Sequence, residues 1–129
     1  MKRTMAICLT LLICLSVCAT AFAVEQPPIQ PKGVIGLSSG LPKVAGTTRQ
    51  YNPWASAMAG LPEQISVGFT LYKMVNGEEV YITSASNSGY TSYVDAEDFV
   101  NLTPGTYRLY AYYVGETNSD GSRTTYIIK

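Results

Sequence analysis

The chain has 129 residues, nine basic against nine acidic side chains, three cysteines and no histidine. That is one small domain at most, and without histidine it lacks the commonest general base and the commonest metal ligand. Composition thus argues against a hydrolytic or metal-dependent enzyme before any pattern is read.

In chain order, residues 1–23 read as a signal peptide. Lys2 and Arg3 give a positive start, residues 5–18 are dominated by Leu, Ile, Val and Cys, and Ala21-Phe22-Ala23 supplies a small-x-small cleavage site. The apolar run is shorter than the roughly 20 residues that cross a bilayer. Cys8, Cys14 and Cys18 all fall inside it, so the chain from Val24 onward has no thiol and no disulfide. A cysteine-free exported domain suits a bacterial medium or envelope better than an animal secretory route. Leu15-Ser16-Val17-Cys18 offers an alternative, a lipoprotein box that would anchor Cys18 in the envelope, but Val17 is larger than the residue such a box normally carries there. The expected location is extracellular. Seven basic residues, scattered among nine acidic ones, remain after residue 23, which excludes nucleic acid and anionic membrane as expected partners.

Residues 24–43 carry Pro27, Pro28, Pro31 and Pro42 with Gly33, Gly36 and Gly40. This composition predicts an extended, loose leader, with 34–37 fitting an edge strand. Residues 49–59 fit either a strand or one helical turn; Pro53 argues against a central strand, and Trp54 is expected to anchor the core.

From Gln64 the pattern sharpens. Ile65, Val67, Phe69 and Leu71 alternate with polar or small residues, the period of a strand with one buried face. Asn76-Gly77 predicts a two-residue hairpin turn. A return strand is expected over 79–84 with Val80 and Ile82 inward, then a turn at Asn87-Ser88-Gly89 and a strand over 90–94. Residues 95–101 fit a capped helical turn or a strand carrying Phe99 inward. Thr103-Pro104-Gly105 breaks the chain before the clearest strand, 106–114, in which Tyr107, Leu109, Ala111 and Tyr113 share one face and Arg108, Tyr110, Tyr112 and Val114 the other. A polar loop and a last strand, 123–128, follow. Strands this closely spaced, one of them apolar on both faces, predict an all-β antiparallel β-sandwich of about six or seven strands over residues 44–129.

Two stretches resemble known sandwich families. Phe69-Thr70-Leu71-Tyr72-Lys73, Asn76-Gly77-Glu78 and the run from Phe99 to Leu109 are similar to the prealbumin-like B-type repeats of Gram-positive surface proteins. Leu102 to Tyr107 also resembles the corner of fibronectin type III and immunoglobulin-like domains. The resemblance implies an immunoglobulin-like or prealbumin-like sandwich in which the corner tyrosine hydrogen-bonds back to the backbone. Such repeats often carry a lysine–asparagine isopeptide bond; here the last strand holds no asparagine and Asn118 lies in the loop before it, so none is expected. With no repeat and no sorting signal, a stalk is not expected either.

Of the residues with candidate chemistry, Glu116 to Gly121 has the rhythm of a calcium loop, but the twelfth position is Ile127 in place of an acid, which favours an ordinary hairpin loop. Asp95, Glu97 and Asp98 could pair carboxylates for glycosidic cleavage, yet acids so spaced are usually solvated. Asn101-Leu102-Thr103 is a formal sequon and reads as part of the corner. No nucleophile elbow or phosphate loop appears. The expectation is a non-enzyme without cofactor or metal.

Tyrosine is the remaining lead. All ten tyrosines follow residue 50, and Tyr72, Tyr81, Tyr110, Tyr112 and Tyr126 form a row if their strands neighbour in register. Such a row would stack on a cell-surface glycan or fill a protein partner's groove. The competing reading is that these side chains cover a second sheet face beneath the N-terminal segment.

Overall fold

A computed structural model describes residues 33–129, which form seven strands and no helix. The signal-peptide features, including Ala21, Ala23 and Cys18, and residues 24–32 of the leader lie outside the described residues. The strands are β1 (Val34–Gly40), β2 (Gln50–Tyr51), β3 (Trp54–Val75), β4 (Glu78–Glu97), β5 (Val100–Asn101), β6 (Gly105–Val114) and β7 (Ser119–Ile128). All pairings are antiparallel, in one five-stranded sheet and the small β2–β5 pair.

The organising unit is the β3–β4 hairpin. Asn76 and Gly77 have φ of 53° and 81°, the two positive values that let a two-residue turn follow the strand twist. Both arms are far longer than local patterning suggests. Met58 pairs with Tyr93 and Glu63 with Thr91, so Ala59, Gly60, Leu61 and Pro62 of β3 face only Ser92 of β4. At this bulge the hairpin folds over itself. The Asn87 amide donates to the Asp95 carbonyl at 2.9 Å although the two are eight residues apart, a separation of about 26 Å in a straight strand. Thr83 likewise donates to Asp98, just beyond the end of the same strand.

Folding divides the curled sheet into two facing layers. One contains β1, the first part of β3 and the last part of β4; the other contains the remainder of β4 and β3, then β6 and β7. Small side chains of the first layer, Ala55, Ala57, Ala59, Val94 and Ala96, share one core with Ile65, Val67, Phe69, Leu71, Tyr107, Leu109 and Ala111 of the second. Small against large lets the layers interdigitate at interior density. At the corner, the Tyr107 hydroxyl donates to the Thr103 carbonyl at 2.7 Å, the contact the sandwich resemblance implies. Lys73 reinforces it by donating to the Thr103 hydroxyl at 2.7 Å, with its ammonium 5.8 Å from the Tyr107 ring centroid.

Several expectations are corrected. The leader ends earlier than residue 43, because Val34–Gly40 pairs with β3 from Ala59 to Trp54; the edge strand expected at 34–37 is present and longer. Asn87-Ser88-Gly89 is no turn: these residues pair with Val67, Ser66 and Ile65, and a continuous ladder outweighs local turn preference. Val80 is exposed while Ile82 packs on the core. Residues 95–101 contain no helical turn: β4 runs to Glu97 and β5 starts at Val100, and Phe99 between them is 54% exposed, since Asp98 accepts the Phe99 amide and turns the chain so that Val100 and Leu102 point inward. Trp54 is only half-buried; it lies over Gly40, where an added Cβ would sit 2.6 Å from the indole nitrogen.

Candidate functional site

The outer face of the larger layer is a grid set by strand register. Tyr81, Tyr72, Arg108 and Thr125 form one cross-strand row; Ser84, Thr70, Tyr110 and Arg123 the next; then Ser86, Gly68, Tyr112 and Gly121; then Ser88, Ser66, Val114 and Ser119. Period-two alternation sends these residues outward because Phe69, Leu71, Leu109 and Ala111, their chain neighbours, fill the core.

Four of the five predicted tyrosines meet on this face. The Tyr72 ring stands edge-on to Tyr81 at 6.4 Å and to Tyr110 at 5.6 Å, a geometry in which the positive ring edge meets a negative ring face. Tyr112 leans across β3 above Gly68, whose missing Cβ would lie 2.4 Å from the tyrosine hydroxyl oxygen; only glycine leaves that space. Tyr81 and Tyr112 remain 58% and 42% exposed, and β1, the described part of the N-terminal segment, pairs with β3 only between Trp54 and Ala59, outside the residues of the grid.

Tyr126 does not join them. It pairs with Tyr107, on the inner face, and packs against the core, where burial pushes its phenol above the ordinary value of 10.0 despite a hydrogen bond with Thr124. The β6–β7 register, which places Tyr110 opposite Arg123, aligns even positions of one strand with odd positions of the other. Numbering parity alone therefore misassigned the face.

Sequence reading missed the charged part of the grid. Glu79 accepts hydrogen bonds from Tyr110 and from Arg108, the latter an ion pair at 3.0 Å. The two-residue turn carries the signal that would have found it, since counting back from Asn76-Gly77 pairs Glu79 with Met74 on the outward side. Tyr110, then Arg108, hold the Glu79 carboxyl below its ordinary 4.5. A depressed carboxyl stabilises the fold above its ordinary value, and that contribution disappears as pH falls through the lowered folded value. We expect the Glu79→Gln variant to flatten the acid limb of a melting-temperature profile below pH 4.5 by a small amount, because the group is solvent-screened; an unchanged limb would show the brace to be energetically idle.

The other candidates are engaged in holding the fold together. Asn118 accepts the Val34 amide at 2.9 Å and donates to the Val34 carbonyl at 2.9 Å and to the Tyr113 hydroxyl at 3.1 Å. Fully buried Glu63 accepts the Glu116 amide at 2.8 Å, and Glu116 in turn accepts the Gln64 amide at 3.0 Å. Asp120 accepts its neighbour's amide within β7, so Glu116, Asn118 and Asp120 each spend a side-chain oxygen on a backbone amide. Asp98 bonds Thr83 and so ties the two layers, and Glu97 accepts the Asn52 carboxamide at 3.2 Å beside the start of β3. Among the described residues no group of three or more acids or cysteines is placed to hold a metal ion, and no helix is long and apolar enough to cross a membrane.

No protein-family model and no curated protein matches the chain. Among solved structures, the GAE domain of GGA2p from Saccharomyces cerevisiae is similar over 78% of this chain and 98% of its own, at 5% identity and a TM-score of 0.36.

Proposed function

We propose that the protein is an exported, non-catalytic binding module that engages its partner through the outer face bearing Tyr72, Tyr81, Tyr110 and Tyr112. The observation that carries this reading is the open grid itself. Four aromatic side chains converge on one continuous sheet face, and two of them are substantially exposed at 58% and 42%. Aromatic side chains concentrated on one surface supply contact area at little entropic cost. Export rests on the residue 1–23 pattern, with cleavage after Ala23 and a bacterial medium as destination. The immunoglobulin-like or prealbumin-like type rests on the corner that Tyr107 closes.

The test is retention on material from the producing cell's surroundings, comparing the protein with a Tyr81→Ala/Tyr112→Ala double variant. Both residues are exposed, so the substitutions should change stability by less than about 1 kcal/mol while reducing retention about tenfold or more. Equal retention with an unchanged melting curve would refute the tyrosine-face reading. Intact mass decides location: a species starting at Val24 in the medium supports export, and an acylated species starting at Cys18 in the membrane makes the protein an envelope component.

A further inference from the structure

We propose that the ligand of this face is a glycan carrying carboxylates, such as a uronate chain, with Tyr112 and Tyr110 as stacking surfaces and Arg123 as the carboxylate receptor. The inference rests on the reading of the tyrosine face as the binding surface and adds the chemistry of what binds there.

Three observations carry it. First, the spaces between the tyrosines are filled by hydroxyls and bare backbone: Ser66, Gly68, Thr70, Ser84, Ser86 and Ser88 on β3 and β4, with Val114 the lone aliphatic side chain in the four rows. Protein–protein hot spots depend on packed apolar anchors that exclude water, and this floor offers almost none. A sugar, with its C–H faces and outward hydroxyls, matches rings set among hydroxyl groups.

Second, Tyr112 lies down over Gly68 instead of standing off the sheet. Its other side is left to solvent as a low platform beside the Tyr72–Tyr110 pair. That pairing of a glycine with an aromatic directly opposite also stabilises the sheet, but stabilisation does not require the exposure seen.

Third, the charges do not balance. Glu79 is committed by contact to Arg108 and Tyr110, whereas exposed Arg123 makes no hydrogen bond or ion pair among the described residues and acts on Glu79 only through space, as the weakest of the influences on its carboxyl, which leaves two guanidinium groups to one carboxylate. Arg123 sits directly across from Tyr110 and diagonal to Tyr112, positions about 5 Å and 7–8 Å away. One hexuronate can therefore lie on a ring and place its carboxylate on the guanidinium, whose planar fork donates two parallel hydrogen bonds to it.

Calorimetric titration of the protein with oligosaccharides of galacturonate, alginate and hyaluronan, and with an uncharged cello-oligosaccharide, tests this. At least one uronate should bind about tenfold tighter than the uncharged chain. That preference should disappear in Arg123→Gln, which melts as the parent does, and all binding should fall in Tyr112→Ala. Equal affinity for charged and uncharged chains, or an unaltered preference in Arg123→Gln, would overturn the charge reading while leaving the binding face intact. If no uronate binds, the inference falls. Retention on surface material that still depends on Tyr81 and Tyr112 would then identify the face as a protein-binding one, and retention indifferent to them would end both proposals.

Discussion

Phe69→Ala is expected to lower the unfolding free energy by about 3–5 kcal/mol, the cost of deleting a large core side chain and leaving a partly collapsed cavity. Phe69 is fully buried. It pairs with Ala85 on one side and Ala111 on the other, at the centre of the larger layer, where it faces the alanine-rich layer folded over it. Neither alanine partner can swell to fill the void, which places the expectation at the upper part of the range. At roughly 4–8 °C per kcal/mol for a domain of this size, thermal denaturation should show a fall of well over 10 °C. A loss below about 1 kcal/mol would mean that the two layers do not close on a common core.

The second large effect belongs to Asn118→Ala. The carboxamide acts as a one-residue strand partner for Val34, bonding both its amide and its carbonyl and then Tyr113. Truncation leaves the start of β1 without those partners in a partly buried setting. Unmade hydrogen bonds cost about 1–3 kcal/mol each when buried; these three are part-buried and fall at the low end, so a total of about 3 kcal/mol is expected. The loss should be local. Hydrogen exchange should accelerate first at Val34 and along β1, while Phe69 and Leu109, deep in the other layer, keep their protection. Uniform acceleration across all strands would show that Asn118 supports the whole core and not the attachment of β1.

The contrast between these two sites shows what the sequence made legible. Phe69 belongs to a period-two run that one strand writes by itself, and the same is true of Tyr107, Leu109 and Ala111; both runs are buried as read. Asn76-Gly77 and the Thr103–Tyr107 corner are equally local, since each depends on a few consecutive residues. Asn118 joins positions 84 apart in the chain, and no neighbourhood in the sequence advertises that. The misreadings share this cause. Asn87-Ser88-Gly89 has turn chemistry and becomes strand because Ile65 to Val67 lie beside it. Trp54 looks like a core residue and instead roofs Gly40, which β1 brings opposite it.

The candidate site divides the same way. Tyr110 and Tyr112 share a face by alternation within β6, and the two-residue turn carries Tyr81 to Tyr72. Tyr126 is lost to the core because the β6–β7 register is set by a loop whose geometry rests on a backbone bond from Gly115 to Asn118 at 2.8 Å. Glu79 and Arg123 complete the face through pairings between strands. A binding surface on a sheet is thus half legible from any one strand, and its other half is a matter of register.

The most direct test of the tyrosine face as the binding surface is to map amide and tyrosine-ring NMR shifts while the protein is titrated with the uronate oligosaccharides. Shifts concentrated at Tyr72, Tyr81, Tyr110, Tyr112 and Arg123 are expected. Shifts centred instead on Trp54, Met58 and Tyr93, which lie on the outer face of the smaller layer, or spread evenly over both layers, would contradict it.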